Sequence, residues 1–478
     1  MRRLLFLILF ILVSQLLWAN SPKYEMRAVW LTTNWRLDWP SKPATDKASM
    51  RQQQQELCSI LDEVKELGLN TVFFQTRIYG EVLYPSEIEP WSRMVSGESG
   101  RSPGYDVLAF AIEECHRRGL ECHAWLITIP AGSSKHVQMQ GNKALPMRHP
   151  EMCIKQGTEW YLNPGIPETA EYIASIAQEI AYNYDVDGIH LDYIRYPDKY
   201  EKFPDYKTYQ KYAEEGEPLE EWRMNNITDI VRAVCDEVKS VDEYIMLSAA
   251  PLGRYAPVES QPFTSWTCVG GVSQDAINWI YEGNIDFVAP MMYYKGDGFT
   301  PYLIDWVERI AGEGNMVAGL GAYRLDPKEG KWSLDDIDEQ IKASRDYGSQ
   351  GQAYFRWGHL REYPSLARLL QEQYYNEPAL VPPMCRVDEI PLLDAVTGLQ
   401  VESRGKEVVV SWQAVDDAVR YVVYATTTGE VDINNPSHIV NVWVNSTTVQ
   451  LPDCYHSFAV TAVDIFRREG AAAYSKKP

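Results

Sequence analysis

Residues 185–198 read DVDGIHLDYIRYPD, and the alternation inside this stretch decides the fold. Ile189 and Leu191 alternate with His190 and Asp192, the two-residue period of a strand whose successive side chains point to opposite faces. With Ile189 and Leu191 packed under helices, His190 and Asp192 face the other way, and Asp192 lies nearer the open end. Outward from this strand the chain repeats the pattern. Apolar runs at Arg27–Thr32, Thr71–Arg77, Leu120–Thr128, Tyr244–Ala250, Ile285–Tyr294, Met316–Tyr323 and Gln352–Trp357 are continuous, as expected of parallel strands covered on both faces. Between them run helical stripes: Leu57, Ile60, Leu61, Val64 and Leu67, then Ile173, Ile176, Ala177 and Ile180, then Ile227, Ile230, Val231, Val234 and Val238. Thr300 before Pro301 reads as an N-cap with proline at the first helical position, and Ser333 with Asp336 as a capping box. Eight strand–helix repeats predict an α/β fold of the (β/α)8 TIM-barrel type. A doubly wound open sheet is the alternative, but no glycine-rich loop follows the first strand.

The 478 residues are 45 % hydrophobic and 23 % charged, with a formal net charge of −21. A surface so acidic repels polyanions, which argues against non-specific nucleic-acid binding and against docking on anionic lipid. Trp 15, Tyr 30 and Phe 12 make an aromatic-rich chain, a composition that suits neutral ring-shaped ligands. The amino terminus reads as an export signal over residues 1–19: Arg2 and Arg3, then an apolar run from Leu4 to Leu17, then a cut after Ala19. Export to the periplasm or beyond is expected, and no later stretch is long and apolar enough to span a bilayer. The eight cysteines form no CxxC pair, and Cys58, Cys115, Cys122 and Cys235 sit in apolar patterns as packed thiols.

The barrel is expected over residues 24–376. Pro378, Pro382 and Pro383 mark a linker over 377–390, across which few contacts are expected, so that the barrel should fold and act alone. Over 391–478 the helical period gives way to alternation at Val408, Val410 and Trp412, at Tyr421 and Val423, and at Phe458 and Val460. A small all-β, immunoglobulin-like sandwich follows. Its segments VVVSWQAVDDAVRYVVYA and HSFAVTAVDIFRREG resemble a fibronectin type III module, with Trp412 and Tyr421 as core aromatics.

In a barrel of this kind chemistry sits where the strands end. Asp192 is the leading candidate, since a carboxylate facing a barrel interior is costly unless solvated, paired or used; a bridge to Arg195 is the bland alternative. LECHAWLITIP, residues 120–130, places His123 and Trp125 on one face, with Trp125 a possible stacking platform. The second strand points Gln75 and Arg77 inward and opens into a loop with Glu81, Glu87 and Glu89 beside Tyr84 and Trp91. The sixth strand ends at Tyr293 or Tyr294 with Asp297 just beyond, and the eighth offers Arg356 or Trp357. No HExxH, P-loop, GxSxG or regular metal-ligand spacing occurs, so no metal or organic cofactor is implied. Carboxylates and aromatics remain, the tools of glycoside chemistry.

EMRAVWLTTNW, LYPSEIEPWS, PGYDVLAFAIEECHRRGLECHAWL, LNPGIPETAEYI, DGIHLDYIRYP and IDFVAPMMYY fall in order along the barrel. Together they make the chain resemble glycosyl-hydrolase-like family ten, exported bacterial barrels related to sugar hydrolases. The resemblance implies a (β/α)8 fold, a carbohydrate substrate and Asp192 as a catalytic carboxylate. Members often follow the third-strand HAW with an Asn-Pro segment, where this chain reads HAWLITIPAG, so the subsite beside Trp125 differs. The expectation is an exported glycoside hydrolase acting on a cell-wall or environmental glycan, with Asp192 as nucleophile or general base. Glu89, in a segment apolar enough to raise a carboxyl pKa, is the expected acid, ahead of Glu81 and Asp297; Asp198 lies nearer to Asp192 in sequence but reads as a surface charge. Arg77, His123, Trp125, His190, Arg195, Tyr293 and Trp357 are the expected substrate-binding residues. A non-catalytic glycan-binding barrel is the competing reading, because the fifth and sixth strand ends offer no second inward carboxylate. The oligomeric state is open.

Overall fold

The computed structural model describes residues 21–198, 202–385, 387 and 390–478; the expected export signal lies outside them. Eight parallel strands form a barrel: β1 (Met26–Leu31), β2 (Thr71–Ile78), β3 (Glu121–Ile127), β4 (Gly188–Asp192), β5 (Met246–Ala250), β6 (Phe287–Val288), β7 (Asn315–Met316 and Ala318–Leu320) and β8 (Gly351–Tyr354). Each neighbours the next in chain order, and β1 pairs with β8 through Met26 opposite Gly351. The ring closes on β7, whose first piece pairs with β6 and whose second pairs with β8. The sixth run is shorter than its apolar length suggests because Pro290 has no N–H for the ladder. Beyond it Met291 makes single bridges to Leu252 and Gly319.

Helices α1 (Lys47–Glu66), α2 (Val107–Arg117), α3 (Pro167–Asn183), α4 (Leu219–Val241), α5 (Ala276–Tyr281), α6 (Thr300–Ile310), α7 (Leu334–Asp346) and α8 (Pro364–Leu369) follow the strands in turn. Their stripes cover Val29, Leu31, Val72, Phe74, Ile189 and Leu191 on the outer face of the ring. Ser333 and Asp336 form the expected capping box. The N-cap of α6 is Phe299, one residue earlier than the expected Thr300, with Pro301 in the first turn. Inside the ring Ala28, Trp30, Phe73, Trp125, Met246 and Phe287 make a second apolar layer. Gly188, the glycine of the DGIHLD motif, is dictated by this interior: a Cβ there would run into the His123 ring.

The C-terminal region is all-β. Strands β9 (Gln400–Arg404), β10 (Glu407–Ser411) and β13 (Thr448–Pro452) make one antiparallel sheet in the order β9-β10-β13. Strands β11 (Arg420–Thr426), β12 (Ile439–Val444), β14 (Ser457–Val463) and β15 (Ala473–Lys476) make another in the order β12-β11-β14-β15. Val408, Val410, Trp412, Tyr421, Val423 and Phe458 pack between the two sheets.

The expected loose linker is not what the structure has. Leu380, Val381 and Met384 are buried, and the Leu380 backbone pairs with Lys23 and Glu25 ahead of β1. The outer face of the four-stranded sheet, through Val422, Tyr424 and Val463, packs on Leu380 and Tyr24. From the turn after β14, Phe466 joins the layer inside the ring, and the Arg467 Nε donates to Glu121 Oε1 at 2.6 Å. Both partners of that ion pair are almost wholly buried. The sandwich closes the amino-terminal mouth of the barrel. Prolines mark where helical periodicity ends, but they do not report whether the chain beyond them docks.

Candidate active site

The carboxyl ends of the strands open into a cleft of about 880 Å³. Asp192, the last residue of β4, lies on its floor and is only 4 % exposed. The Trp125 Nε1–H donates to its Oδ2 at 3.1 Å and the Tyr193 N–H to its Oδ1 at 2.7 Å. Its backbone oxygen accepts from the Thr128 N–H and hydroxyl, which ties the end of β4 to the end of β3. Burial raises the Asp192 pKa above its ordinary 3.8, against the opposing pull of the Arg195 charge and the two hydrogen bonds. Tyr193 takes a left-handed φ of 53°, and the Arg195 guanidinium stacks 4.3 Å from its ring centroid. The buried Arg195 Nη1 has no hydrogen-bond partner.

Two walls rise from this floor. One comes from the loops after β2 and β3. There the segments Pro130–Ser133, Cys153–Gln156 and Glu159–Leu162 form a small antiparallel sheet, which brings Glu159, Trp160 and Tyr161 beside Tyr79. The facing wall, from the loops after β6, β7 and β8, supplies Tyr293, Asp326, Glu329, Arg356 and Glu362. Asp198 completes the acidic lining. The Glu159 and Asp198 charges both bear on the Tyr161 hydroxyl, and Asp192 and Asp198 both bear on Tyr193. The chemistry available is therefore a buried carboxylate, further carboxylates within one cleft, and aromatic faces. No group of three or more His, Cys, Asp or Glu side chains that could hold a metal ion occurs among the described residues.

Of the residues expected to bind substrate, Trp125, Arg195 and Tyr293 line the cleft with Asp192, and the others do not. A register shift in β2 between Gln75 and Arg77 sets Arg77 level with Leu126, on the helix-facing side. An extra residue in a strand reverses the alternation beyond it. There Arg77 grips Glu89 in two hydrogen bonds of 2.9 and 2.7 Å. Tyr172 of α3 donates a third to Glu89 at 2.7 Å. Glu89 is thus the buried partner of an arginine, not a carboxyl facing the cleft. Arg77 also donates to the carbonyls of Ile127 and Thr128, so the pair braces the strand end that holds Asp192.

His123 and His190 lie inside the ring below the cleft. His190 accepts from Trp30 at 3.1 Å, bonds Ser248 at 2.8 Å and stacks on Phe73 at 4.1 Å. Burial, with His123 nearby, pushes its pKa well below the ordinary value. His123 bonds Glu121 at 3.1 Å. Trp357 is buried in the outer layer, and it is Phe355 and Arg356 that reach the cleft. Glu81 is held by Ser92 and Ser99, and Asp297 gives only its carbonyl, to Gln261. Sequence reasoning missed Glu159, Trp160 and Tyr161; the signal was the acid–aromatic run EWY between β3 and α3.

Residues 25–311 match the family model of glycosyl hydrolase-like 10. The chain belongs to that family. Among its curated relatives, the glycosyl hydrolase YngK of Bacillus subtilis is 28 % identical over 94 % of this chain and 92 % of its own. The glycosyl hydrolase DigH of Escherichia coli K12 is 32 % identical over 58 % of this chain and 67 % of its own. The glycoside hydrolase domain of PgaB (BpsB) from Bordetella bronchiseptica superposes with a TM-score of 0.51 at 17 % identity. That superposition covers 73 % of this chain and 99 % of that one, a likeness of barrel architecture.

Proposed function

We propose that the protein is an exported glycoside hydrolase that cleaves O-glycosidic bonds in a cell-wall or environmental glycan by carboxylate chemistry. The carrying observation is Asp192: buried, at a barrel strand's carboxyl end, hydrogen-bonded on both oxygens, and still lining the cleft. A carboxylate kept at that cost fits a nucleophile or general base, and a pKa raised toward the working pH makes it a better base. The Arg195 charge and the two donated hydrogen bonds favour its ionised form.

Glu159 is the carboxyl assigned as acid: like Asp326 it is half-buried where Asp198, Glu329 and Glu362 are exposed, and it stands in the aromatic wall beside Tyr79 and Tyr161. It would protonate the leaving oxygen while Asp192 attacks the anomeric carbon or draws a proton from water. Carboxyls about 5 Å apart give retention, and about 6.5–9.5 Å inversion. The leader sequence over residues 1–19 supports export.

The test is a screen of purified protein against cell-wall, plant and host glycans, read by released reducing ends. Release by the wild type and none by Asp192→Asn is the expected result. Glycan binding by the wild type with no release would favour the non-catalytic reading.

A further inference from the structure

The loop after β1 reads TNWRLDW over residues 33–39, and it treats its two tryptophans oppositely. Trp39 is 1 % exposed and packs in the core; Trp35 is 53 % exposed. Trp35 and Arg36 both take left-handed backbone, with φ of 52° and 56°, a conformation that bulky side chains avoid and that persists where the surroundings impose it, often at ligand sites. Their neighbours Asn34 and Leu37 line the cleft, so the turn stands the Trp35 ring at the cleft's margin.

A single exposed tryptophan would mean little; what lies beneath this one is different. The ring meets His136 edge-on, with centroids 6.1 Å apart, and His136 meets Tyr79 of the cleft wall at 4.8 Å. His136 is 1 % exposed, yet neither ring nitrogen has a hydrogen-bond partner, and the buried Asn34 Oδ1 has none either. Burial pushes the His136 pKa down to about 4, so its neutral ring offers one donor and one acceptor. Buried polar atoms without partners are rare and costly. His136 thus backs the Trp35 ring and joins it to Tyr79 of the cleft wall, and an aromatic face beside a few polar groups is how sugar rings are held.

We propose that Trp35 is the stacking platform of an outlying sugar subsite, so that the cleft holds more than two successive sugars of a glycan chain. This rests on the glycan-cleaving reading of the cleft. The wall from Trp35 to Tyr79, Trp160 and Tyr161 then forms a track of rings along which successive sugars lie.

The experiment is titration calorimetry with chitohexaose, chitobiose, cellohexaose and cellobiose on Asp192→Asn protein, with and without Trp35→Ala. At least one hexasaccharide is expected to bind at least tenfold more tightly than its disaccharide. Trp35→Ala should remove about that factor, ~1.4 kcal/mol, for the hexasaccharide alone. Trp35→Phe should keep part of it. Affinity that does not rise with length, or a hexasaccharide bound equally by both proteins, overturns the subsite, as does equal weakening of the disaccharide. A wild-type chain that shows the length dependence but releases no reducing ends overturns the hydrolase reading and leaves the subsite standing.

Discussion

Asp192 carries a folding cost. Its folded pKa lies above the unfolded value, so its ionised form opposes folding. The opposition is absent below about pH 3.8 and complete above the folded pKa. Asp192→Asn should therefore abolish turnover while raising the melting temperature at pH 7, and that gain should vanish near pH 3. A melting temperature that falls at pH 7 would mean that the carboxylate is structural. Glu89→Gln should behave in the opposite way, because it breaks a buried pair with Arg77. Such breaks cost about 3 kcal/mol or more, and the loss should appear in urea melts, with activity on good and poor leaving groups reduced alike. Asp192, Trp125, Arg195 and Tyr293 were legible in the sequence because strand alternation and strand ends place them. Arg77 and Glu89 were misplaced because one extra residue in β2 inverts the alternation, and nothing in TVFFQTRI marks the shift.

At the level of elements, periodicity read the barrel well and the cleft wall poorly. The runs of β2 and β3 and the α1, α3 and α4 stripes are long, apolar and regular, so tertiary packing and local pattern agree. The three short strands of the wall are half-exposed and paired only with one another, so neither apolar run nor alternation announces them. Glu159→Gln tests what that wall does. The expected outcome is a rate loss of at least ~100-fold, of the size general-acid catalysis supplies, confined to substrates with poor leaving groups. Wild-type rates on both substrate types would move the acid to Asp326 or Asp198, checked by Asp326→Asn and Asp198→Asn in the same assay.

In the whole molecule, barrel and sandwich share one interior. Glu121 accepts from Arg467 and lies 3.7 Å from Arg420. The two arginine charges and the hydrogen bond from His123 hold its carboxyl well below the ordinary range, against the pull of burial. With the folded value depressed, this stability is present above the unfolded pKa and is lost only as pH falls far below it, so the contact should survive mild acid. A chain ending at Asn376 would remove Val381, Met384 and Phe466 from the inner layer of the ring and open that layer to water, at about 3 kcal/mol or more. It is expected to aggregate or to melt about 10 °C below the full chain, and the full chain should give one calorimetric transition. Two separate transitions, the lower belonging to the sandwich, would contradict this. The sequence could not show the docking, since Glu121 and Arg467 are 346 residues apart and each reads alone as a surface charge. The seal also constrains how such a molecule can be inherited. A tethered module can be exchanged between genes at its linker, but one that lends an arginine to its neighbour's core cannot. A barrel of this kind joined to another partner, or to none, is expected to carry a different residue where Glu121 stands.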